Sequence, residues 1–219
     1  MPKRALVQRR PWLLVSILAA IAYYALRDAP VGGLYLIGIK GAAVGMLAVY
    51  ALLRHARRDA TILTVALALA ACGDVMAELD DIWADALFLA SHLVALALYL
   101  HNRRDQPSGS QRAAGLALLL MTPAIAYTLA AIRPDASHVA LYALALGAMA
   151  GAAWTSRFPR YRVGIDALLL VTAKLLLIAG NGPLLRSAFP DLAIWPLYYA
   201  GQLLICTGVI QTLRRDHQA

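Results

Sequence analysis

The sequence predicts an all-α protein: a polytopic bundle of about eight transmembrane helices with the N-terminus and C-terminus both cytoplasmic. Three observations predict it. The chain is 61% hydrophobic over 219 residues, against about 45–50% in a soluble domain, and its mean hydropathy is +0.65. Its apolar residues gather in runs near the roughly 20 residues that a bilayer core of about 30 Å requires. Its basic residues fall in alternate links between those runs. Strand-type alternation is absent, and Ala and Leu dominate, which favours helices over a β-barrel. The length leaves no room beside eight spans for a soluble domain, so residues 1–219 read as a single integral membrane domain.

Each run has its own boundaries. The first, 11–26, follows Lys3, Arg4, Arg9 and Arg10 and begins at Pro11; no small-residue cleavage site stands out, so it reads as a retained helix rather than a signal peptide. The second, 31–53, lies between Pro30 and Arg54. The third, 60–78, and the fourth, 82–101, form a hairpin with Glu78, Asp80, Asp81 and Asp85 as an acidic rim. The link after it, 102–111, is polar with Gly and Ser and reads as mobile. The fifth, 112–132, carries Pro123 inside, where a missing N–H favours a kink. The sixth, 136–156, lies between Pro134 and Pro159. The seventh, 162–182, ends in the turn signal Gly180-Asn-Gly-Pro183. The eighth, 192–213, is followed by Arg214 and Arg215.

Charge sets the expected orientation. The N-terminus, the even-numbered links and the C-terminus hold 15 basic residues; the opposite links hold 3, Arg27, Arg133 and Arg186. The positive-inside rule then places both termini in the cytoplasm. The formal charge of +8 therefore reads as a topology signal against an anionic membrane face, and nucleic acid is not expected as a partner. Cys72 and Cys206 both lie in apolar spans, so they form no disulfide framework.

Ionisable groups inside the spans are the site candidates, because each costs roughly 2.5 kcal/mol or more at membrane depth. At about 1.5 Å per residue, Lys40, Asp74, His92, Lys174 and Gln202 fall at one level between the outer interface and the midplane, on five different spans. They predict a polar pocket facing the bundle interior and open toward the outer side. Glu78 stands one turn above Asp74 by the i, i+4 relation. Asp166, near the cytoplasmic end of the seventh span, stands outside this group. Lys40 and Lys174 read either as structural counter-ions to Asp74 and Glu78 or as functional groups. His92 reads as a core hydrogen-bonding residue when taken alone, and Glu78 as a solvated interfacial one. Asp74 resists such a reading, since a short side chain has no snorkelling route and Gly73 lets helices approach closely. Tyr99, Tyr142, Tyr198 and Tyr199 suit interface or packing roles. Asp74, Glu78 and His92 could bind one ion on paper, but no close-spaced pair of His or Cys supports a metal site. No Gly-rich phosphate loop is present.

Gly73-Asp74, Phe88, His92 and Tyr99 resemble the central hairpin of the YhhN-type lysoplasmalogenases. Lys40 matches a lysine of that family's second span, Tyr142 and Met149 its sixth, and Tyr199, Gln202 and Gly208 its last-helix pattern. The resemblance implies cleavage of the vinyl-ether bond of a lysoplasmalogen, to a fatty aldehyde and a glycerophospho-alcohol. It also implies two carboxyl groups, one from the Gly-Asp of the third span and one from a Ser-Asp pair in the seventh. The second pair is replaced here by Ala173-Lys174. Three outcomes stay open: Glu78 supplies the second carboxylate, Lys174 acts on a changed substrate, or activity is lost and the cavity binds a lipid.

The expected function is a membrane hydrolase of the lysoplasmalogenase type, with Asp74, Glu78 and His92 catalytic and Lys40, Lys174, Tyr99, Tyr199 and Gln202 binding substrate. The alternative is a catalytically diverged member that binds or moves a lipid or apolar ligand. No metal and no cofactor are expected. The expected partners are a lipid substrate and membrane lipids, and the expected location is a bacterial inner membrane.

Overall fold

The structure is a computed structural model that describes residues 10–30, 32–54 and 58–216. Lys3, Arg4, Arg9 and Arg57, which enter the charge argument, lie outside the described residues. Eight α-helices account for most of the described chain: α1 (Arg10–Leu26), α2 (Gly33–Arg54), α3 (Arg58–Met76), α4 (Asp81–His101), α5 (Gly109–Leu129), α6 (Ala136–Thr155), α7 (Ile165–Gly180) and α8 (Phe189–Arg215), with a π turn at Arg160–Gly164 leading into α7. Seven of these, counting the π turn with α7, are long and apolar enough to cross a membrane. α1 is shorter, at 17 residues, or about 26 Å of rise. Pro123 sits inside α5 without ending it, and α8 extends beyond its predicted run at both ends.

The helices form two compact units. The first holds α1, α2, α3, α4 up to Val94 and the end of α8 from Val209. Here Ser16 Oγ of α1 donates to the Ala43 carbonyl of α2. α2 and α3 bury Val44, Leu47, Leu63 and Leu67. Ser91 Oγ of α4 donates to the Ala66 carbonyl of α3 at 2.7 Å. The turn between α3 and α4 is closed by Asp80, whose carboxylate accepts from the N–H groups of Ile82 (2.9 Å) and Trp83 (3.0 Å). Part of the acidic rim is therefore a helix cap, satisfying donors that the first turn leaves open.

The second unit runs from Ala95 to Gly208. Its α5 and α6 approach backbone to backbone: a Cβ on Gly151 would stand 2.6 Å from the Gly115 carbonyl oxygen. Small residues permit this contact, and close packing is what holds helices together in lipid. Ala126, Ala130, Ala136, Ala143 and Ile178 form a buried core. The link 102–111 departs from its expected character. A capping box between Ser108 and Gln111 starts α5. Asn102 is buried and accepts at its Oδ1 from Arg157 Nε at 2.6 Å. Short polar links leave backbone and side-chain groups that need partners, and here the link after α6 supplies them.

Candidate active site

Asp74 lies in the last turn of α3 and is 2% exposed. The hairpin closes tightly beside it, since a Cβ on Gly73 would stand 2.9 Å from the Phe88 ring. Phe88 therefore seats α4 on α3 at the level of Asp74. His92, one turn further along α4, is buried.

Glu78 departs from its predicted position. α3 ends at Met76, so Glu78 belongs to the turn that follows rather than to the helix face above Asp74. Its carboxylate accepts from Lys40 Nζ of α2 at 2.7 Å and from the Tyr23 hydroxyl of α1 at 3.1 Å. The Lys40 ammonium lies 5.4 Å from the Tyr23 ring centroid and within electrostatic reach of Asp74. Burial pushes the Glu78 carboxyl up, but the hydrogen bond and charge of Lys40, with the Tyr23 hydroxyl, outweigh it and hold Glu78 below its ordinary value of 4.5. The first unit thus brings Lys40, Asp74 and Glu78 together, with Tyr23 as a fourth member. Tyr23 was not among the predicted residues, because a tyrosine near the end of an apolar run reads as an interface anchor. Its depth, close to that of Glu78, was the available signal.

Tyr99, Lys174, Tyr199 and Gln202 belong to the second unit. Lys174 Nζ lies 4.2 Å from the centroid of the Tyr142 ring, a cation–π contact. Tyr99 is buried edge-on against Phe158, with ring centroids 6.2 Å apart. Tyr199 stacks on Trp195 at 6.2 Å, and Gln202 is buried. A further carboxyl group appears here. Asp166 is fully buried, and neither of its oxygens has a hydrogen-bond partner among the described residues. An aspartate four residues after Arg162 reads as interfacial, whereas the π turn before α7 places it inside the unit. No three His, Cys, Asp or Glu side chains among the described residues are grouped to hold a metal ion.

The model of the YhhN family matches residues 35–209. The chain belongs to the YhhN family. That is the family of lysoplasmalogenases. No curated protein and no solved structure matches the chain. The YhhN match runs from α2 into α8, so it includes Lys40, Asp74, Glu78, His92 and Lys174 and leaves out α1 with Tyr23. In this YhhN protein one partner of the Glu78 carboxylate therefore comes from outside the matched segment.

Proposed function

We propose that this YhhN-family protein is a membrane hydrolase that cleaves the vinyl-ether bond of a lysoplasmalogen-like lipid. The observation that carries the reading is the pairing of Glu78 with Lys40 and Tyr23 beside the buried Asp74. Vinyl-ether hydrolysis consumes one water. A proton is added to the alkenyl carbon remote from oxygen, leaving an oxocarbenium ion. Water attacks the carbon bonded to oxygen and gives up a proton. The hemiacetal then breaks its C–O bond to release aldehyde and alcohol. Such a reaction needs one carboxyl group as proton donor and one carboxylate to face the cation or take the proton from water, a division that unlike environments support.

In this reading Asp74 delivers the proton and Glu78, held ionised, faces the developing cation. His92 assists from the adjoining turn of α4. Lys40 has two tasks: one of its three N–H donors orients Glu78, and its charge attracts the lipid phosphate. Purified full-length protein should release fatty aldehyde from lysoplasmalogen. Asp74→Asn should lower that release at least about 100-fold, as loss of an acid–base group does. Absence of aldehyde from folded wild-type protein would overturn the reading.

Lys174 favours a second reading, in which the protein retains a lipid or other apolar ligand without turning it over. It stands where the family resemblance implies the second aspartate, and its ammonium lies against Tyr142. Mass spectrometry of gently purified protein separates the two, because a binder retains a stoichiometric ligand.

A further inference from the structure

One end of the second unit concentrates positive charge to a degree that the hydrolase reading does not use. The links 102–112 and 155–162 carry six arginines, Arg103, Arg104, Arg112, Arg157, Arg160 and Arg162, against the single acid Asp105. The two links are fastened to each other. Arg157 N donates to the Asn102 carbonyl at 2.9 Å and Arg104 N to the Thr155 carbonyl at 3.3 Å, and Arg103 pairs with Ser156 in an antiparallel bridge. Arg157 Nε donates to Asn102 Oδ1 at 2.6 Å, while Asn102 Nδ2 donates to the Leu98 carbonyl at 3.0 Å. A buried amide is thus spent on fixing one guanidinium at the surface.

Three features point to an anionic guest. Arg103, Arg104, Arg112 and Arg160 make no ion pair among the described residues. Arg112 lies in the first turn of α5, and Arg160 and Arg162 lie at the start of the segment leading into α7; helix starts disfavour cations, so helix stability does not account for them. Topology is satisfied by either cation, whereas planar, two-pronged recognition of phosphate needs guanidinium. Tyr161, between two of these arginines, is 85% exposed, as suits a side chain at the headgroup level.

We propose that this arginine-rich end is a binding site for the phosphate of an anionic phospholipid in the surrounding bilayer. The positive-inside rule assigns this end to the cytoplasmic leaflet, whose anionic lipids supply the guest. The site lies on links far in sequence from Asp74 and does not depend on hydrolysis.

The test uses the full chain purified in detergent, with phosphatidylglycerol and phosphatidylcholine of the same acyl chains added in equal amounts. Retained lipid is counted by native mass spectrometry. Phosphatidylglycerol should be retained at least tenfold over phosphatidylcholine. Replacing Arg103, Arg112, Arg157 and Arg160 together by Gln should abolish that preference. Replacing the same four by Lys should keep the charge but lose most of the preference. Asn102→Ala leaves all six arginines in place and should still weaken retention severalfold, a change that charge alone does not produce. Melting temperature, read in parallel without added lipid, confirms that each variant is folded. Equal retention of the two lipids by the wild type overturns the proposal. So does an unchanged preference in the Gln variant, or full displacement of the lipid by an equimolar amount of inorganic phosphate.

Discussion

Lys40 and Glu78 show how a pair of charges at the edge of a membrane protein holds its ionisation. Lys40 is mostly covered, with 13% of its side chain exposed, and Glu78 keeps 37%. The pair stands between the exposed limit, where an ion pair contributes little, and the buried limit, where removing one partner strands the other. A double-mutant cycle with Lys40→Met and Glu78→Gln should return a coupling of about 1 kcal/mol, read from thermal unfolding in detergent. The pH dependence has a definite sign. Glu78 is depressed below 4.5 in the folded protein, so its pairing contributes full stability above that pH. The contribution is lost as pH falls through the lower folded value, where both states are protonated. Wild type should therefore lose more stability than Glu78→Gln between neutral pH and the range below 4.5. An identical pH profile for the two proteins would show that Lys40 does not lower the pKa of Glu78. Tyr23→Phe should leave the fold intact and lower aldehyde release, because one hydrogen bond to the Glu78 carboxylate disappears.

Two glycines define how the helices approach, and they predict different penalties. At Gly73 the three atoms nearest an added Cβ all belong to the Phe88 ring, which can turn or be shortened. Gly73→Ala should cost about 1–3 kcal/mol by overpacking, and Phe88→Leu should recover much of it. At Gly151 the added Cβ meets the Gly115 carbonyl oxygen at 2.6 Å, and backbone has no rotamer to yield. Gly151→Ala should therefore be the more destabilising substitution, with no single side-chain rescue. Thermal unfolding of Gly73→Ala, of Gly73→Ala combined with Phe88→Leu, and of Gly151→Ala checks the order; a larger loss at Gly73 would contradict it.

Orientation and chemistry can be tested separately. In a background with Cys72 and Cys206 replaced, Ser110→Cys should react with a membrane-impermeant thiol reagent only after the cells are opened. Ala131→Cys should react in intact cells. The reverse pattern would invert the topology that charge predicts. Lys174→Asp restores the residue type that the family resemblance implies in α7. If wild type and Lys174→Asp both release aldehyde, the second carboxylate is dispensable and Glu78 is the candidate to replace it. If only the variant is active, the natural chain has left the family's hydrolysis for ligand binding.

Helix number, approximate boundaries and family were legible in the residues, because each rests on a local or one-dimensional signal: apolar run length, Pro and Gly at run ends, and Gly73-Asp74 followed by Phe88 and His92. The burial of Asp74 was legible for the same reason, since a short acidic side chain inside an apolar run has nowhere else to go. Glu78 was harder. Sequence spacing put it on the α3 face above Asp74, but the helix stops at Met76, and only then do Lys40 and Tyr23 become its partners. The burial of Asp166 and the fastening of 102–111 onto the link after α6 were equally hidden, since both depend on segments more than forty residues apart or on a π turn that composition does not announce. Apolar run length and local motifs suffice to read a helical membrane protein of the YhhN family with an acidic hairpin. Which charge meets which was decided only by tertiary structure, because ion pairs and clasps depend on distances of a few ångströms between segments that the chain order leaves far apart.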